Sequence, residues 1–185
     1  MNLIQQQIQQ PVQCGGLPFE RTYCSCNECR EYCKLMPGYL ILDDVIAIYH
    51  YLNPAVSFNQ YYKLYFLASP GAIVMKNGKI GRIGTLVPRR KLNGNCIFFT
   101  AEQKCQIHPV APFGCRYFDH STTKKKGDSI SQVGLELIFK SKKYFEIWKE
   151  LCIEKLYAIP PEKLRDAEGY TAREWFLKQY PNALD

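Results

Sequence analysis

Hydrophobic and polar positions change their rhythm several times along this chain, and each change marks an element. Leu42, Val45, Ile46, Ile48, Tyr49 and Leu52 recur at near-helical spacing. Asp43 and Asp44 stand at the start of that run, where the positive end of a helix favours carboxylates. The pattern predicts a helix from Leu42 to Leu52, stopped by Asn53 and Pro54. Ser57 then suits the cap of a second helix, whose aromatic face of Phe58, Tyr61, Tyr62, Tyr65 and Leu67 continues up to Ser69 and Pro70. The two helices are expected to pack as a hairpin.

After Pro70 the signals turn β-like, because Ala72–Met75 and Lys79–Ile83 flank Asn77 and Gly78, a dipeptide suited to a tight hairpin turn. A second pair, Thr85–Val87 and Cys96–Phe99, brackets a basic loop that ends in Asn93, Gly94 and Asn95. Ser121–Asp128 is lysine-rich and reads as a solvated connection. From Ile130 to Tyr157 the positions Val133, Leu137, Ile138, Phe145, Trp148, Leu151 and Cys152 have helical spacing, in one long helix or two in tandem. Pro160 and Pro161 end it, and Thr171 with Glu174 forms a capping box for a last helix. The expected fold class is α+β and mostly helical, with a small β-hairpin region and two cysteine-bearing loops around a shared metal site.

The glutamine-rich start lacks the basic flank and apolar run of a secretion signal, so residues 1–20 read as a flexible leader and 21–185 as one metal-binding domain. No apolar run approaches the length needed to span a membrane. A cytoplasmic location without membrane attachment is therefore expected. The formal charge of +7 would suggest an acidic partner. That inference weakens once cysteines are counted as thiolates, each of which removes one positive unit. Arg89, Arg90 and Lys91 with Lys124–Lys126 are the candidate basic patch for nucleic acid, and read first as solvated loops. Gly78, Gly81 and Gly84 belong to no phosphate-binding or dinucleotide pattern.

Nine cysteines change the picture most. An odd number cannot pair completely, and in a reducing compartment thiols at this density are usually metal ligands. Cys26, Cys29 and Cys33, with Cys24 just upstream, lie in the polar stretch Thr22–Lys34, which has the look of a ligand loop followed by the turn signal Pro37–Gly38. Two or three sulfurs do not complete a tetrahedral ion or a cubane cluster, so a second segment has to contribute. Cys96, Cys105 and Cys115 supply it. Cys14 and Cys152 read as small buried hydrophobes. Arg116 and His108 are expected to support the ligands from behind, and His120, like His108, reads first as a loop group and only second as a ligand.

The runs CNECREYCKLMPGYLILDDV and GNCIFFTAEQKCQIHPVAPFGCRYF together resemble the CxxCxxxCC family of zinc- or iron-chelating proteins, the YkgJ-like cysteine-cluster proteins, over roughly Cys24 to His120. Cys105, Ile107, His108, Pro109, Pro112, Cys115, Arg116 and Phe118 carry the second half of that likeness. Against that pattern Lys34 replaces the last cysteine of the first motif, and Cys24 is extra. The resemblance implies an iron-sulfur cluster or zinc, and with the cluster an oxidoreductase or electron-transfer role with a redox or protein partner. A purely structural zinc in an adaptor for nucleic acid or protein is the alternative. A flagellin lysine methylase is similar through the same motif, but this chain has no recognisable methyl-donor motif.

Overall fold

A computed structural model of the chain describes residues 17–22, 26–76, 79–102 and 104–158. Among them are helices α1 (Asn27–Leu35), α2 (Leu42–Leu52) and α3 (Phe58–Tyr65), followed by strands β1 (Phe66–Lys76) and β2 (Lys79–Pro88). Helices α4 (Phe113–Arg116), α5 (Lys124–Lys140) and α6 (Lys142–Ile153) complete the set. No described helix is long and apolar enough to cross a membrane. The Asn77–Gly78 turn, the Thr171–Glu174 capping box and most of the leader lie outside the described residues.

The α2 bounds are those its periodicity predicts. Asp44 closes its start by accepting the Ile41 N–H at 3.0 Å. At α3, Gln60 N–H donates to Ser57 Oγ at 3.4 Å while Ser57 N–H donates to Gln60 Oε1 at 3.2 Å, a reciprocal cap. The two helices meet through rings, with Tyr49 at 5.0 Å from Tyr61 and 5.3 Å from Phe58, and form the expected hairpin.

The β region differs from the two short pairs expected. β1 and β2 form one long antiparallel ladder, in which Thr85–Val87 pairs with Leu67–Ser69 and not with Cys96–Phe99. Proline offers no N–H to a ladder, so Pro70 would normally end a strand. Here a bulge between Ser69 and Ala72 absorbs it, with Gly71 at φ +77°, and pairing resumes beyond. A Cβ at Gly71 would stand 1.6 Å from the Ile83 carbonyl oxygen. Phe66 and Leu67 are drawn into this ladder, which is why α3 stops at Tyr65.

The lysine-rich stretch expected as a loop opens α5 instead. Thr123 caps it by accepting Lys126 N–H at 3.4 Å, which offsets the unfavourable meeting of lysines with the helix's positive end. Ser141 then separates the tandem helices, its N–H donating to Ile138 O at 3.0 Å and its Oγ accepting Tyr144 N–H at 3.2 Å. Behind the cysteine segments lies one apolar cluster that includes Leu40, Ile48, Tyr61, Phe66, Leu86, Phe98, Phe113, Ile130 and Leu151. Tyr144 ties it together: its hydroxyl donates to Leu40 O at 2.7 Å and accepts Leu86 N–H at 2.5 Å.

Candidate metal centres

The first cysteine stretch is not a loop throughout. Cys26 is the N-cap of α1, and its sulfur accepts Cys29 N–H at 3.4 Å. Glu28 in the first turn, Lys34 in the last, and a 3.3 Å Lys34–Glu31 ion pair complete a short helix that hydrophobic periodicity alone does not announce. The helix sorts its cysteines by turn. Cys26 and Cys29 stand at its start, and Cys33 is carried one turn beyond Cys29.

Cys33 faces the three cysteines of the second segment. Each pair among Cys33, Cys96, Cys105 and Cys115 interacts electrostatically, so four thiols from distant parts of the chain converge. Their backbones are held closely. Cys96 N–H donates to Lys34 O at 2.7 Å, which fastens this loop to the end of α1. Phe99 and Cys105 form an isolated antiparallel bridge, and Gln106 N–H donates to Phe98 O at 2.8 Å. The basic run serves the same loop: Arg90 Nη1 donates to Gly94 O at 3.3 Å, and Lys91 Nζ donates to Phe99 O at 2.5 Å.

Cys115 rides on α4, and its sulfur accepts Gly38 N–H at 3.1 Å. That approach requires two glycines back to back. A Cβ on Gly38 would stand 2.2 Å from the Gly114 carbonyl carbon, and one on Gly114 would stand 2.7 Å from Tyr39 N. Gly38→Ala is therefore expected to push the 36–39 segment off α4, with a loss of about 1–3 kcal/mol in urea denaturation and a lower metal content. Stability and metal content both at the wild-type level would show that the close approach is dispensable.

The thiols of this group are held in their neutral form when no cation is present. Burial raises Cys33, and burial is likewise the largest cause at Cys96, Cys105 and Cys115. The charge of Cys33 adds to it at each of the latter three, and Cys105 is pushed up to about 12. Four such thiols cannot all ionise side by side unless a cation joins them. Metal loading at neutral pH should accordingly release protons, and affinity should fall as pH is lowered. Calorimetry in buffers of different ionisation enthalpy measures that release; a proton count near zero would argue against thiolate ligation.

Cys26 and Cys29 take part in a different grouping. Their sulfurs and a ring nitrogen of His120 all lie within 4.8 Å of one another, and this is the one such set of three or more donors among the described residues. His120 Nδ1 is 3.5 Å from each sulfur, and His120 N–H donates to Cys29 Sγ at 3.3 Å. Cys29 is buried, Cys26 partly buried and His120 exposed. Sequence reasoning ranked His120 low because nothing local links it to a cysteine; the link is made by the turn after α4.

The remaining candidates are distributed differently. Cys14 and Cys24 lie outside the described residues. Cys152 sits on α6 packed against the apolar cluster, and burial pushes its thiol up to about 12. His108 is exposed, and the fold uses its backbone: its carbonyl accepts from Arg21, and its N–H donates to Cys105 O at 3.2 Å. Arg116 is buried and engaged by Asp44 and by Ala111 O, the latter at 2.8 and 3.0 Å. It thus anchors the helix of Cys115 to the start of α2.

A family model, CxxCxxCC, with the description "Putative zinc- or iron-chelating domain", matches residues 25–153. No curated protein and no solved structure matches the chain.

Proposed function

Because this chain belongs to the CxxCxxCC family of metal-chelating domains, we propose that Cys33, Cys96, Cys105 and Cys115 hold an iron-sulfur cluster and that the protein passes electrons to a redox partner. The spread of the four thiols carries this reading. A tetrahedral zinc ion with sulfur bonds of about 2.3 Å keeps its ligand sulfurs roughly 3.8 Å apart. Here every pair interacts, yet no three of the four fall within 4.8 Å of one another. That arrangement favours thiolates set around a core of several irons and sulfides over the ligands of one ion.

Such a cluster supplies one-electron transfer when bound. The chain's own residues set its surroundings. Gly38 N–H, aimed at Cys115 Sγ, draws off negative charge and favours the reduced state. Cys33 and Cys105 are only partly buried, which leaves a short path to the surface. Tyr32, Leu35 and Met36 are exposed on and just after the helix that carries Cys33, and offer a partner an apolar surface beside the thiols.

Anaerobic purification tests the reading. The protein is expected to be brown, with broad visible absorption, iron and acid-labile sulfide, and a signal in paramagnetic resonance after reduction. Colourless protein that fills the four-thiol centre with zinc would overturn it and return the structural-zinc alternative to first place.

A further inference from the structure

We propose that Cys26, Cys29 and His120 form a second metal site of their own, which holds one zinc(II) ion. The proposal goes beyond the iron-sulfur reading and stands whatever the four-thiol centre contains.

The geometry is that of a single tetrahedral ion. Bonds of about 2.3 Å to sulfur and 2.0–2.1 Å to nitrogen, opened at the tetrahedral angle, separate the two donor atoms by roughly 3.5 Å. His120 Nδ1 lies 3.5 Å from Cys26 Sγ and 3.5 Å from Cys29 Sγ. A helix cap accounts for Cys26 accepting the Cys29 amide, but capping requires no imidazole nitrogen equidistant from both sulfurs. That nitrogen arrives from more than ninety positions away in the chain.

The surroundings favour thiolates. The N–H groups of Cys29 and His120 point at Cys26 Sγ and Cys29 Sγ, at 3.4 and 3.3 Å, and α1 directs its positive end at the pair. Two soft sulfurs with one imidazole suit zinc, and they supply three positions of its tetrahedron. The site is also separate from the four-thiol centre, because none of Cys33, Cys96, Cys105 or Cys115 joins the compact set. One helix therefore serves both centres, giving Cys29 to one and Cys33 to the other.

Cobalt(II) in place of zinc provides a spectroscopic test on the full chain. Wild-type protein is expected to show thiolate-to-cobalt charge transfer and tetrahedral ligand-field bands. His120→Ala, a change at an exposed position, should remove about one metal equivalent together with that equivalent's share of the bands. His120→Cys should restore the equivalent with a shifted spectrum, whereas Cys105→Ser should leave it in place. Retention of the full equivalent and unchanged bands in His120→Ala would overturn the proposal. Loss of the same single equivalent from both His120→Ala and Cys105→Ser would overturn it too, since both would then act on one shared centre. Failure of the iron-sulfur reading has its own signature, a colourless protein, and leaves the His120 result interpretable.

Discussion

Cys115→Ser is expected to strip the four-thiol centre of its metal and to destabilise the protein by about 4 kcal/mol or more, the range reached when a metal site is lost. A serine hydroxyl does not replace a thiolate toward zinc or iron-sulfur irons, and three sulfurs do not hold a four-coordinate core. The cost extends beyond one bond. Cys33 and Cys115 lie far apart in the chain, so the metal closes a long loop, and ligation and folding are coupled. Gly38 N–H also loses its sulfur acceptor. Elemental analysis and urea denaturation read the two effects together. Cys152→Ser is the control: its thiol belongs to neither group, so metal content should be unchanged, with a stability loss of only about 1 kcal/mol for altered packing. Full metal retention in Cys115→Ser would remove the basis for the four-thiol centre.

A loss of about 3–5 kcal/mol is expected from Arg116→Met, because it leaves a buried carboxylate without its cation. Asp44 is fully buried and Arg116 nearly so. Asp44 Oδ2 accepts Ile41 N–H at 3.0 Å and Phe113 N–H at 2.7 Å, while Oδ1 faces the guanidinium. One carboxylate thus binds the start of α2 to the helix that presents Cys115. Burial already lifts Asp44 to about 6, against the opposing pull of Arg116. Without the arginine it rises further.

The sign of the pH dependence follows. When the folded carboxyl titrates above the unfolded one, the native state binds the extra proton, and stability falls as pH rises between the two values. The deficit of Arg116→Met should therefore be large at neutral pH and shrink toward pH 5, where Asp44 is protonated. Adding Asp44→Asn should recover part of the loss at neutral pH, since a neutral amide carries no unpaired charge. A deficit independent of pH in urea titrations would assign the effect to lost packing.

Much of the scaffold was legible because its signals are local. The α2 periodicity, the Ser57 cap and the aromatic face of α3 each rest on residues within a turn or two of one another. The misreadings have local causes of their own. Pro70 looked like the end of a helix and the start of a new region, but a bulge carried the ladder past it. Lys124–Lys126 read as a solvated loop; they are exposed, but the Thr123 cap starts a helix there. Cysteine has little helix preference, so α1 was hidden in what its spacing presented as a ligand loop.

Residue types and spacings determined by themselves that this is a metal-chelating chain whose two cysteine segments belong together, because thiols in such motifs have few other uses. Only the tertiary structure decided which sulfur meets which. Partition between a wide four-thiol group and a compact pair completed by His120 depends on how one turn of α1 carries Cys33 along the helix from Cys29. It depends equally on where the Gly38–Gly114 contact and the turn after α4 deliver Cys115 and His120. Those are distances between segments far apart in the chain, set by packing, and no local pattern encodes them.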